Sequence, residues 1–249
     1  MTDTIRFKMK GDVAELCLCA PERRNAIGSR EIGLVKSAID SIPTTCRLLV
    51  IRSEGRVFCA GANLKEITDG TMDGDDFQSM TNSIASLAMP SLAIVEGDVF
   101  GGGAELLFSC DFRLGVTGKY LKIPAAAFGL CYPVEGIQRM TQRLGSTLAR
   151  KILLTTESVS FEELAQQNAF DWLVSATEVE GDSEALIARL TGLAPLSVAA
   201  MLAIIKSAEE GRFDRAAAQA LADTCSQSDD LSEGLLAMRE KRAPRFRGR

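Results

Sequence analysis

VEGDVFGGGAELLFSCD, residues 95–111, is the stretch that decides the fold. The apolar run before it, SLAIVEG, reads as a buried strand and leads into three glycines. A small residue, Ala104, then a carboxylate, Glu105, open the apolar segment that follows. A strand that ends in glycines and restarts as a helix is a βα junction. The run is not a dinucleotide fingerprint, because Leu106 stands where the last glycine belongs, and it lacks the Lys-Ser/Thr ending of a P-loop. Glycines here let backbone N–H groups approach a ligand. The helix they precede directs its partly positive end at the same place, which suits a developing oxyanion. Glu105 has two readings at this point: an acid favoured by the helix dipole, or a catalytic carboxylate.

A second junction of the same kind lies upstream. FCAGANLKE, residues 58–66, places Ala60, Gly61 and Ala62 between an apolar strand end and a helix, with Lys65 one turn later. Further outward, Ile5 to Leu18 reads as two strands turning at Lys10-Gly11-Asp12. PERRNAIGS is a loop, and Ser29 is expected to cap a helix through Ile39. RLLVIRS, 47–53, is a buried strand, and Asp75 to Leu87 reads as a helix. Strands alternating with helices predict an α/β fold. Beyond about Gly145 the pattern is almost entirely helical. A boundary near Pro195 divides the chain into a core, 1–194, and a helical C-terminal portion, 195–249.

Composition narrows the chemistry. The chain has 249 residues and a net charge of −5, with no basic footprint for nucleic acid. No apolar run reaches membrane-spanning length, and MTDTIRFKMKGD lacks the apolar centre of a signal peptide. Seven cysteines with no C-x-x-C pair read as free, mostly buried thiols in a reducing compartment, so a cytoplasmic location is expected. There are no histidines. That removes a His general base, a Ser-His-Asp triad and His-built zinc sites, leaving carboxylates, Tyr, Lys, Cys and backbone N–H groups.

Taken together, the motifs resemble the crotonase superfamily, the enoyl-CoA hydratase/isomerase enzymes. The resemblance runs nearly end to end: PERRNAI, FCAGANLKE, GDVFGGGAELLFSCDFRLG, FGLCYPVEGIQRM and EGLLAMREKRAPRF. It implies the crotonase (ClpP-like) fold, repeated ββα units with a helical C-terminal portion that serves oligomerisation and pocket closure. It implies an acyl-CoA substrate whose thioester oxygen is held by the N–H groups of Ala62 and Gly102 in an oxyanion hole. Arg23, Arg24, Ala60 and Lys65 are the implied CoA-binding residues. No metal or redox cofactor is implied, since coenzyme A is part of the substrate. A homotrimer or hexamer and a role in fatty acid metabolism follow in the same way.

Hydratases of this family use two glutamates. Glu105 matches the first, but Ala125 in LKIPAAAFGL stands where the second belongs. The resemblance therefore implies enolate chemistry with a single retained glutamate. Tyr132 and Glu135 in FGLCYPVEG are the catalytic candidates nearest the gap. A tyrosine occupies this place in methylmalonyl-CoA decarboxylases, which makes decarboxylation the alternative activity. Those enzymes carry His at the position of Ala62, and this chain has none. A non-catalytic acyl-CoA-binding homologue is the other alternative. Apolar residues from Ile84 to Met89 are candidates for the acyl pocket.

Overall fold

The computed structural model describes residues 3–249. A hairpin comes first: β1 (Ile5–Lys10) and β2 (Val13–Leu18), antiparallel, turning at Gly11. Helix α1 (Ser29–Asp40) leads to the repeating part. The first unit is β3 (Leu48–Ser53), β4 (Val57–Cys59), α2 (Leu64–Thr68) and α3 (Gly74–Ala85). The second is β5 (Ser91–Val95), β6 (Asp98–Phe100) and α4 (Gly102–Ser109). The third is β7 (Phe112–Val116), β8 (Tyr120–Lys122) and a 3-10 turn, Ala125–Phe128, before the long α5 (Val134–Thr155). The remainder is β9 (Val159–Ser160), α6 (Phe161–Gln166), β10 (Trp172–Val174), α7 (Val179–Thr191), α8 (Pro195–Glu209), α9 (Arg215–Ser226) and α10 (Asp229–Glu240).

Each ββα unit sends its longer strand to one sheet and its shorter strand to another. The larger sheet has six strands in the order β1-β2-β3-β5-β7-β10, and the smaller has four, β4-β6-β8-β9. Apart from the β1–β2 hairpin, the larger sheet is parallel and therefore needs cover on both faces. The sequence supplies it by alternation. Leu49, Ile51, Ala93 and Val95 join the main core, while Leu48, Val50, Leu92 and Ile94 point the other way, to a second cluster completed by Val179 and Leu186 of α7. Each such fully buried Leu or Ile contributes about 1.5–3 kcal/mol relative to exposure.

Some local expectations are corrected. Gly28, not Ser29, is the N-cap of α1, because the Glu31 carboxylate accepts the Gly28 N–H at 2.9 Å and Ser29 Oγ donates to Glu66. The helix read from Asp75 to Leu87 spans Gly74–Ala85 and is capped by the Asp73 carboxylate. The downstream region is not purely helical: β9 closes the smaller sheet and β10 pairs with β7 to finish the larger one. Strands of two or three residues carry too few positions for a period to show. Ile84 is a core residue, and Leu87 to Met89 line a groove of about 840 Å³ beside α8 that contains none of the proposed site residues. No single helix among the described residues is long and apolar enough to cross a membrane.

Candidate active site

The two small-residue loops meet. A Cβ placed on Gly61 would lie 2.4 Å from Gly102 N and 3.1 Å from Phe100 O, and Gly61 also has φ +85°. A Cβ on Gly103 would lie 2.3 Å from Cys59 O. Only glycine at these positions lets the start of α4 close on the end of β4. The Ile27 N–H donates to Gly61 O at 2.9 Å and the Asn63 N–H to Ile27 O at 2.8 Å, a short parallel bridge that fixes the first loop. Ala62 lies between these pairs, and its N–H has no acceptor among the described residues. The same holds for Gly102 N at the head of α4. A Cβ on Gly102 would sit 3.3 Å from Ala62 N, so the two free donors are neighbours. Two unpaired backbone donors side by side at a helix N-terminus can hold a carbonyl oxygen that gains negative charge.

Glu105 sits in the first turn of α4 and is 1% exposed. Its Oε1 accepts from Arg139 Nη1 and, at 3.3 Å, from Thr81 Oγ1. Arg139 is held in turn by Asn82 Oδ1 at 2.7 Å. The other oxygen, Oε2, is buried with no partner. It lies against Gly136, where a Cβ would stand 1.8 Å from it and 2.9 Å from the Tyr132 ring. Burial pushes the Glu105 carboxyl above the ordinary carboxylate range, against the pull of the Arg139 charge and the Thr81 and Arg139 hydrogen bonds; the charge of Glu135 pushes it up further. Such a group, with one oxygen anchored and one free, can take and return a proton.

Tyr132 is buried, and its hydroxyl donates to Gly101 O at 3.0 Å, so it packs between the glycine loop and Glu105. Burial first, and then the Glu105 charge, hold its phenol well above the ordinary value, in the protonated form. Glu135 is exposed at the start of α5, and its carboxylate accepts from the Asn82 amide. Through Asn82, which also holds Arg139, it belongs to the polar network around Glu105. Ala125 begins the 3-10 turn and, with Leu130, Tyr132, Ile137 and Leu153, lines a cavity of about 380 Å³. Its walls are mainly apolar where the sequence pattern expects a second glutamate.

The cations are set differently from one another. Arg23 is paired with Glu31 at 3.0 Å. Arg24 has φ +56° and lays its guanidinium over the Phe100 ring, 4.9 Å from the centroid, next to the glycine run. Lys65 is exposed, with no ion pair among the described residues, and Ala60 donates its N–H to Arg24 O at 2.9 Å. The Cys59 thiol is pushed up to about 12 by burial and is a packing group.

Arg139, Thr81 and Asn82 escaped the sequence reading. Arg139 stands 34 positions from Glu105, and its pairing arises only because α5 packs on α4. The one available signal was the charge of an arginine one turn after Glu135 on the same helix. Its role is testable. Arg139→Gln removes the group that lowers the Glu105 pKa, so the acid limb of a kcat/KM–pH profile is expected to move to higher pH. Glu135→Gln is expected to move it lower. A limb unmoved by both changes would separate Glu105 from the titration.

Residues 8–249 match the family model described as enoyl-CoA hydratase/isomerase. The chain is 30% identical to the carnitinyl-CoA dehydratase of Proteus mirabilis, with 100% of both chains covered. It is 28% identical to the mouse mitochondrial enoyl-CoA hydratase domain-containing protein 2, covering 95% of this chain and 85% of that one. The solved enoyl-CoA hydratase of Bacillus anthracis superposes with a TM-score of 0.89 at 21% identity, covering 99% of this chain and 100% of the other, a likeness of fold.

Proposed function

Because the chain belongs to the enoyl-CoA hydratase/isomerase family, we propose that it binds an acyl-CoA thioester and works through an enolate held by the Ala62 and Gly102 N–H groups. The observation that carries this reading is the pair of unpaired donors beside a buried carboxyl of raised pKa. In the proposed step Glu105 takes a proton from the carbon next to the thioester. The C–H electrons move toward the carbonyl oxygen, and the donor pair stabilises the resulting charge. Return of the proton at a different carbon shifts a double bond without water. With Ala125 in place of a second carboxylate, water activation would fall to Glu105 as well, so isomerisation suits the site better than fast hydration. The apolar cavity beside Ala125 and Tyr132 would take the acyl chain, and Arg24 and Lys65 the CoA phosphates.

A second reading is favoured by one observation, the Tyr132 hydroxyl at Gly101 O. A malonyl-type acyl group would lose its carboxylate as CO2, the bonding electrons would pass to the thioester oxygen, and the Tyr132 hydroxyl, released from Gly101 O, would orient the departing group. Incubation with enoyl-CoA and malonyl-type CoA esters, followed by product mass and chromatography, separates the readings. A regioisomer of unchanged mass supports the first, and loss of CO2 the second. A gain of water at enzymatic rates would contradict the single-carboxylate argument. Binding without turnover would reduce the protein to an acyl-CoA carrier.

The same family reading proposes a homotrimer or hexamer. Met201 and Ile205 are 56% and 54% exposed on α8, and Leu235 and Met238 51% and 73% on α10, apolar surface that further copies of the chain would cover. A monomer mass by light scattering would overturn this.

A further inference from the structure

Away from Glu105, β2 ends at Leu18, which lies between Cys17 and Cys19. Alternate residues of a strand share a face, so the two thiols stand together, while Leu16 and Leu18 turn to the core. β2 runs parallel to β3 with Leu18 beside Ser53, and the Glu54 N–H donates to Leu18 O at 2.9 Å. That register delivers the Glu54 carboxylate to the two thiols. Cys17 Sγ, Cys19 Sγ and a Glu54 carboxylate oxygen all lie within 4.8 Å of one another. Both cysteines are half-buried, and Glu54 is exposed, so the group is reachable from solvent. Neither thiol has a strong partner: Cys17 Sγ is 3.7 Å from Leu18 O and Cys19 Sγ 3.4 Å from Cys17 O.

The 4.8 Å bound on these separations lies about 1 Å above the spacing of ligands in a tetrahedral site. With Zn–S near 2.3 Å and Zn–O near 2.0–2.2 Å, ligand atoms lie about 3.5–3.8 Å apart. Side-chain rotations of about 1 Å or less bring the three atoms to that spacing. Charge also balances. Two thiolates and a carboxylate carry three negative charges, and a divalent cation together with Arg6 carries three positive ones. Arg6 Nη2 holds Glu54 Oε1 at 2.7 Å and leaves Oε2 free.

We propose that Cys17, Cys19 and Glu54 form a binding site for a thiophilic divalent cation of the Zn2+ or Cd2+ kind, with a fourth position open to water. A cysteine binds such a cation as its thiolate. Binding therefore releases thiol protons, and affinity rises with pH.

The test is titration of the full chain with Cd2+, read by the thiolate-to-metal charge-transfer band, and with Zn2+ by chelator competition. One saturable equivalent is expected, tightening as pH rises. Cys17→Ser and Cys19→Ser are expected to weaken it by about a hundredfold or more, and Glu54→Gln by about tenfold. Cys131→Ser and Cys225→Ser, at the exposed and half-buried thiols elsewhere, are expected to leave it intact. Circular dichroism of each variant reports retained fold. Failure of the parent protein to bind at micromolar Cd2+, or a band that survives loss of both Cys17 and Cys19, would overturn the proposal.

Discussion

Glu105→Gln is expected to lower kcat/KM by about 10²–10⁴-fold on whichever acyl-CoA the protein turns over, the range removed with a positioned general acid or base. The amide keeps nearly the same volume and still offers Arg139 and Thr81 an oxygen, so the α4–α5 packing should survive. CoA affinity, which rests on the first loop and Lys65 in the proposed reading, should change little. The pH profile is the sharper readout. Proton abstraction needs ionised Glu105, so parent activity falls as pH drops through its raised pKa. The glutamine variant has no such group, and its residual rate should lose that acid limb. If Glu105 served only as the counter-ion of Arg139, the substitution would lower the melting temperature and leave the limb in place.

Gly61→Ala should cost about 10²–10³-fold in kcat/KM, the effect of losing one oxyanion donor. The new methyl would meet Gly102 N at 2.4 Å, Gly102 Cα at 3.0 Å and Phe100 O at 3.1 Å. All three are backbone atoms, so no flexible side chain can yield, and the two loops must part. Parting them separates the Ala62 and Gly102 donors. Part of the loss of stability would come from φ +85° itself, roughly 1–2 kcal/mol for a residue with a Cβ. Gly118→Ala provides the comparison, because Gly118 has φ +75° but open space around a Cβ. It should show the strain without the loss of rate. Equal kinetic damage from both variants would trace the effect to stability and not to the donor pair.

Arg143–Glu209 and Arg212–Glu210 are exposed or half-exposed pairs and carry little stability individually. The Arg139–Glu105 pair differs because one partner is almost wholly buried. Removing the arginine leaves an uncompensated carboxylate, which makes Arg139 both a stabilising and a positioning residue.

The sequence by itself determined the α/β class, the two small-residue loops and the place of Glu105 at a helix start. Those features are local: glycine at positive φ, apolar alternation and an acid in a first helical turn are written within a few residues of where they act. Residues 8–249 match one family along nearly the whole sequence. Only the tertiary structure decided the surroundings. Arg139 reaches Glu105 because α5 folds back over α4, and Tyr132 reaches Gly101 from 31 residues away. Gly136 proved to be the floor beneath Glu105 Oε2. Glu54 joins Cys17 and Cys19 because β2 and β3 pair in one register, and a shift of one residue would turn both thiols to the opposite face. Such contacts depend on which surfaces pack together, and packing is settled by burial summed over the whole chain rather than by any short stretch of it.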